Sequence, residues 1–362
     1  MKNYISLAIP IIFYFSCHSP SKPAVESPVG QAFLQIPTDG YAVDLDVEGN
    51  VMAVAANYDG YYLFDVAMDE STGHATAINE TNHVTGEEMN PNAGDNRAEE
   101  IHVSLSHNAA FIVDRFDKIM VHKLAGAPYL DNNLPICVAD VWLSLAYDDT
   151  QEDTLLFYPL VKHNSAIGGA GFDAYSASVV YSQFWEFPEF EEFWGTTCEF
   201  GVNFSILAEK IIYSDSLLTV AMGELGLTIY KQNFNGSIDP MPFAQIDTPG
   251  EVYSVHAEGH TVFAGLSYYK GCYMALLDNQ GNIENNLTFA EGSNVRGIDS
   301  DGDLIALACG YDGVLIYEWQ SDNQMKFLGS LETGYANAVA VQQNTVFAAT
   351  RDGIEVFNIE RN

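Results

Sequence analysis

An all-β fold made of repeated hairpins is what this 362-residue sequence predicts, and three observations carry that prediction. The two ends of the chain spell one phrase. AFLQIPTDGYAVDLDVEGNVMAVAA (32–56) lies without a gap on KFLGSLETGYANAVAVQQNTVFAAT (326–350), setting Gly40-Tyr41 on Gly334-Tyr335 and Asn50 on Asn344. The phrase also recurs inside the chain. VRGIDSDGDLIALACGYDGVLIYEW (295–319) puts Tyr311-Asp312-Gly313 on Tyr58-Asp59-Gly60, and 98–123, 206–231 and 252–277 align in the same way. Within each copy, short β-rich runs alternate with turn residues and helical periodicity is nearly absent. Roughly seven copies at about 40–45 residues have the period of propeller blades. The prediction is therefore a β-propeller of seven blades, with six as the alternative.

The elements of a blade follow in order. The first run alternates (Val43, Leu45, Val47; Ile101, Val103, Leu105; Val339, Val341) and ends at a turn such as Glu48-Gly49-Asn50 or Asp301-Gly302-Asp303. The second run is rich in small apolar residues (MAVAA, FIVD, LTVAM, FAGLS, IALAC, FAAT), as expected where radial sheets crowd together. A turn often built on Asp-Gly leads to the third run (LFDV, IMVHK, LTIYK, VLIYEW, IEVFNI). Phe-Leu segments such as Phe327-Leu328 supply the outer strand. The last copy ends at Ile359 without one, so the N-terminal stretch from Ala32 to Pro37 is expected to fill that place and close the ring, removing exposed edges. The third unit, between Pro135 and Phe187, diverges most. It reads as VWLSLAYDD and TLLFYPLV strands, then a Gly-rich loop from Lys162 to Ala174, then YSASVVYSQF.

Copies of the form YAVDLDVEGNVMAVAANYDGYYLFDV and VRGIDSDGDLIALACGYDGVLIYEW resemble the LVIVD-repeat proteins, a family of bacterial exported propellers. The similarity covers nearly all of Phe33 to Ile359. It implies a fold and a surface location, and carries no catalytic residues.

Composition fits an exported domain. Acidic residues outnumber basic ones 49 to 14, a formal charge of −35, which repels nucleic acid and anionic membrane surfaces and excludes them as partners. With 48% hydrophobic residues the chain has ample core, so the acids do not signal disorder. They serve solubility, or else attract cations and basic partners. At the N-terminus, Lys2 precedes an apolar stretch from Ile5 to Phe15 and then Ser16-Cys17, the layout of a secretory signal. Ser16-Cys17 resembles a lipobox, so residues 1–17 are expected to be removed as a lipoprotein-type signal and Cys17 acylated. Residues 18–30 form a Pro/Ser-rich tether and 31–362 a single propeller. The membrane is then reached only through the lipid, at the outer membrane or cell surface. The alternative is ordinary cleavage and a free periplasmic or secreted protein. Cys137, Cys198, Cys272 and Cys309 permit two disulfides in three pairings, although Cys309 falls on the small core position of Ala56 and suits a buried thiol better.

No phosphate-cradling loop, nucleophile elbow or zinc motif is present. Three constellations remain. Asp44, Asp46, His102, Lys210, His256 and Asp299 occupy first-run positions opposite the apolar face and are expected to converge on a central channel, where they either vary as solvated positions or serve as acid, base or metal ligands. Asp299, Asp301 and Asp303 have the spacing of a calcium-loop start but lack its Gly and Glu, so a hairpin turn leads and calcium is the weaker reading. FWEFPEFEEFW (184–194) interleaves aromatics with glutamates. Trp185, Phe187, Phe190, Phe193 and Trp194 are expected to contact a protein or carbohydrate ligand. Function divides between a monomeric, non-enzymatic binding propeller, which is favoured, and a propeller hydrolase or lyase working in the channel with or without a metal; calcium is the one cofactor the residues suggest.

Overall fold

The computed structural model describes residues 29–89, 97–114, 119–124, 141–151, 154–165, 174–185, 199–204, 208–234, 237–320 and 324–361. They form a β-propeller of seven antiparallel sheets, six four-stranded and one three-stranded. In chain order the inner strands of blades 1 to 7 are Asp44–Glu48, Ala98–Ser104, Val141–Gln151, Lys210–Ser214, Val252–Glu258, Gly297–Asp301 and Ala336–Gln342. Each touches the next, and the seventh touches the first.

The burial of each strand follows from its place in the ring. Second strands lie between neighbouring blades and are covered on both faces, so Leu217–Ala221, Leu304–Ala308 and Thr345–Thr350 are buried at every position. Small residues make this possible, as in the Ala53-Val54-Ala55 and Ala348-Ala349 runs. Gly297 marks the limit: a Cβ there would stand 2.9 Å from the Ala338 backbone of the next blade. The apolar cores accordingly sit between blades. One joins Met52, Val54 and Phe64 of blade 1 to Phe347, Ile354 and Val356 of blade 7. Others join blades 3 to 4, 4 to 5, 5 to 6 and 6 to 7.

Closure is as the sequence predicts. Strand Gly30–Ile36 pairs antiparallel with Gly353–Ile359, from Gly30 opposite Ile359 to Ile36 opposite Ile354. It thereby takes in Gly30, which the sequence reading left in the tether. Gly353, at φ +118°, begins the third strand of blade 7, and a Cβ there would collide with the Ile36 carbonyl oxygen. Gly60 holds the same place in blade 1, at φ +88°, against the Val84 carbonyl. This is why Asp-Gly turns recur before third strands.

In the divergent blade 3, strand Thr154–Ser165 pairs with Ala174–Trp185, with Lys162 opposite Ala177 and Ser165 opposite Ala174. The hairpin therefore runs four residues, Lys162 to Ser165, into the segment expected to be loop. Cys272 and Cys309 are free and buried, as anticipated for Cys309. The signal, Cys17, most of the tether, Cys137 and Cys198 lie outside the described residues. Among the described residues no helix is long and apolar enough to cross a membrane.

Candidate functional site

Two surfaces concentrate polar and aromatic side chains: the central channel, and the face where the chain enters the inner strands.

The channel brings together all six positions predicted from the repeat, and its chemistry follows from what inner strands lack. Each is the edge of its sheet, so alternate backbone N–H groups have no strand partner. The preceding blade supplies acceptors at the same period of two. Asp44 Oδ2 accepts from Ile101 N at 3.1 Å, Asp46 Oδ2 from Val103 N at 2.7 Å, and Glu48 Oε2 from Leu105 N at 2.7 Å. Glu100 Oε2 accepts from Leu145 N at 3.1 Å. Asp299 and Asp301 accept from Val341 N and Gln343 N, each at 2.6 Å. Serines do the same between blades 3 and 4 and blades 4 and 5: Ile211 N donates to Ser144 Oγ at 3.3 Å and Gly259 N to Ser214 Oγ at 2.9 Å.

An ion pair links blades 4 and 2 across the channel. Lys210 Nζ lies 3.2 Å from Glu100 Oε1, which also meets His102 Nε2 at 3.2 Å and accepts the Ser144 hydroxyl at 3.0 Å. Burial alone would raise Glu100, but the Lys210 ammonium, His102 and Ser144 hold it down at about 2. Partial burial opposes the charged forms of Lys210 and His102, but the acids around them raise both. Asp44 and Asp46 are pushed up by burial, and Asp299 well up.

A cavity of about 370 Å³ opens at the C-terminal ends of the inner strands, lined by Asp46, His102, Tyr147, Asp149, His256 and Asp299 among others. There His256 Nδ1 lies 3.3 Å from Asp299 Oδ1 and its Nε2 lies 2.9 Å from Ser300 Oγ, the order of a nucleophile relay. The serine, however, donates to Glu258 Oε2 at 3.0 Å. Nε2 must then carry a proton toward Ser300 and cannot accept one from it. Burial also lowers His256 to about 4 and raises Asp299, opposing the ion pair that a general base requires.

The calcium-like triplet does not converge. Asp299 and Asp301 reach into blade 7, while Asp303 pairs with Arg361. No group of three or more metal-ligating side chains forms among the described residues. Sequence reasoning reached His102 but missed Glu100, two residues earlier on the same face, and the acceptor Glu48. Strand alternation was the signal that would have found both. Of the aromatic segment 184–194, Phe184 and Trp185 close a blade 3 strand and the rest lies outside the described residues.

The opposite end of the ring is different. Loops entering the inner strands and turns between second and third strands share this entry face, because the strands are antiparallel. Tyr41, Tyr58, Tyr253, Tyr268 and Tyr311 are exposed there, Tyr311 at 79% and Tyr268 at 74%. Arg351 lies 4.0 Å above the Tyr335 ring, 5.8 Å from that of Tyr311 and 5.9 Å from that of Tyr41. Arg296 is 5.3 Å from both Tyr253 and Tyr335. Arg97 covers Tyr58 at 4.1 Å, and Tyr311 meets Tyr335 edge-on at 4.6 Å.

No protein-family model and no curated protein matches the chain. Solved structures do. The WD40 repeats of RRP9 superpose with a TM-score of 0.62 at 12% identity, over 93% of this chain and 100% of that one. The β-propeller domain of Myceliophteria thermophila Cps50 (Swd1) gives 0.61 at 9% identity, over 91% and 100%. A computationally designed protein, Ika8, gives 0.52 at 7%, over 89% and 98%. At such identities the likeness concerns architecture alone, and the architecture is a β-propeller.

Proposed function

We propose that this chain is an exported, monomeric propeller, tethered to a bacterial membrane through acylated Cys17, that binds a ligand on its entry face and performs no catalysis. The observation that carries this reading is the division of labour between the two surfaces. Channel carboxylates accept backbone N–H groups of the next blade, whereas exposed tyrosines and arginines at the entry face contact one another and hold no strands together. The acidic composition and the apolar N-terminal stretch support export, and the resemblance to LVIVD-repeat proteins supports a surface location. The segment 184–194 is a second contact region in this reading.

Binding is tested on an array of glycans and peptides. Capture is expected, and Tyr311→Ala with Tyr253→Ala should abolish it while the melting midpoint holds. Capture unchanged by those substitutions rejects the face. Anchoring is tested by palmitate incorporation in a bacterial host, expected for the wild type and lost in Cys17→Ser. An unlabelled wild type rejects the anchor. The channel-enzyme alternative rests on the His256–Asp299–Ser300 contacts. Ester or glycoside turnover that disappears in His256→Ala would establish it in place of the binding reading.

A further inference from the structure

The entry face has an order that suggests what it binds. Around the ring from blade 1 through blades 7 and 6 to blade 5 run Tyr41, Arg351, the Tyr311–Tyr335 pair, Arg296 and Tyr253, with each arginine within 6 Å of the rings on both its sides. Ring and cation alternate. Tyr41, Tyr253 and Tyr311 are 60%, 45% and 79% exposed, so much of each ring is open.

The cations are notable for what does not pair with them. Acids outnumber bases 49 to 14 in this chain. Even so, the ion pairs among the described residues involve neither Arg296 nor Arg351. Both flank the ring of Tyr335, at 5.3 and 4.0 Å. Two like charges drawn to one ring, neither with a carboxylate at ion-pair distance, favour an arriving carboxylate, and a guanidinium stacked on an aromatic face still presents its N–H edge as a fork for one.

Charge and shape narrow the ligand. A net charge of −35 repels a large acidic partner, but for a short ligand screening limits that repulsion to about 8 Å at physiological salt. An acidic peptide offers carboxylates without rings, and a neutral glucan offers rings without charge. A chain of uronic acids offers one pyranose ring and one carboxylate per unit, the same alternation as the arc. Resting on the binding reading above, we propose that the arc from Tyr41 to Tyr253 is a site for short oligouronates. Arg351 and Arg296 take the carboxylates, and the exposed tyrosine rings take the apolar faces of the sugars.

The test is isothermal titration of the full chain with tetragalacturonate, a neutral glucose tetramer and tetraglutamate. Saturable binding of tetragalacturonate is expected, at least about ten-fold tighter than the glucose tetramer, since loss of a charge-assisted hydrogen bond is worth that much, and tighter than tetraglutamate, which has no sugar rings to lay on the tyrosines. Arg296→Gln with Arg351→Gln should bring tetragalacturonate down to the level of the neutral sugar while the protein stays folded, the melting midpoint moving by no more than a few degrees, and Arg351→Lys should restore part of the difference. Equal binding of the glucose tetramer or of tetraglutamate, lost in Tyr311→Ala, would overturn the uronate assignment while leaving a binding face. No binding of tetragalacturonate, or binding indifferent to both arginines, would overturn the proposal outright. The array result decides the broader reading separately.

Discussion

The channel and the entry face are built from the same repeated hairpin, yet their polar groups have opposite fates. In the channel a side chain two residues along an inner strand meets the next unpaired N–H of the neighbouring blade, so charge is consumed by architecture. At the entry face the backbone joins neighbouring blades through bridges such as Gly310–Ala336 and Gly223–Val252, and the tyrosine and arginine side chains contact one another. The difference teaches that polarity around a propeller axis is weak evidence for chemistry until the edge-strand N–H groups have been accounted for.

The largest effect should come from breaking the ring itself. A chain beginning at Thr38 loses the strand that pairs with Gly353–Ile359 and the apolar contacts of Leu34 and Ile36 in the blade 7–blade 1 core. Several backbone hydrogen bonds and two partly buried side chains go together. Scanning calorimetry should show the midpoint fall on the order of 10 °C, or the protein fail to stay soluble. A midpoint equal to that of the intact chain would refute the closure. Next comes Gly353→Ala, which puts a methyl group against the Ile36 carbonyl at a φ of +118°. Denaturant unfolding should lose roughly 2–4 kcal/mol, more than for a surface Gly→Ala change.

How far these relations could be read from sequence depends on whether they lie along a strand or between strands. The closing segment and the small-residue second strands were legible because each copy repeats them, and Phe33-Leu34 has a counterpart in Phe327-Leu328. The channel positions were legible by alternation, with Glu100 and Glu48 as the misses. What those carboxylates do was not legible. The bond from Asp46 to Val103 depends on the register between two blades, which no local pattern encodes. The tyrosines of the entry face were half visible, since the repeat sets Tyr41 on Tyr335 and Tyr58 on Tyr311. The arginines belong to no repeat position, and only the folded ring brings Arg296 and Arg351 to the same ring of Tyr335.

Within the channel, the acceptor role separates from the charge. Asp46→Ala leaves Val103 N–H without its partner and should cost about 1–3 kcal/mol in urea unfolding. Asp46→Asn keeps an acceptor oxygen and removes a carboxylate that burial already disfavours, so it should cost less. Equal losses in the two variants would show that charge, not the hydrogen bond, is what the position needs. Acid titration sharpens the same point. His256 and His122 are lowered to about 4 by burial, so their contribution is complete above an unfolded value near 6.5 and is lost as pH falls toward 4. Glu100, held at about 2, contributes above its unfolded value near 4.5 and is lost below it. Asp299 is raised, so protonation favours its folded form and stability gained on acidification opposes the histidine loss. Stability measured from pH 7 to 4 should therefore fall less steeply in His256→Gln and more steeply in Asp299→Asn.

The smallest effect on folding belongs to the entry face, and its smallness is informative. Arg351 is exposed, so replacing it with Gln removes cation–π contacts to Tyr335, Tyr311 and Tyr41 worth about 0.5–1 kcal/mol. The midpoint should move by no more than a few degrees, against the much larger losses from Gly353 or from the closing strand. A residue that stacks on the Tyr335 ring and is nearly dispensable for the fold is what the proposed binding reading requires of Arg351. If Arg351→Gln instead unfolds the protein as severely as Asp46→Ala does, the contrast between the two surfaces fails, and the arginines join the carboxylates as parts of the frame.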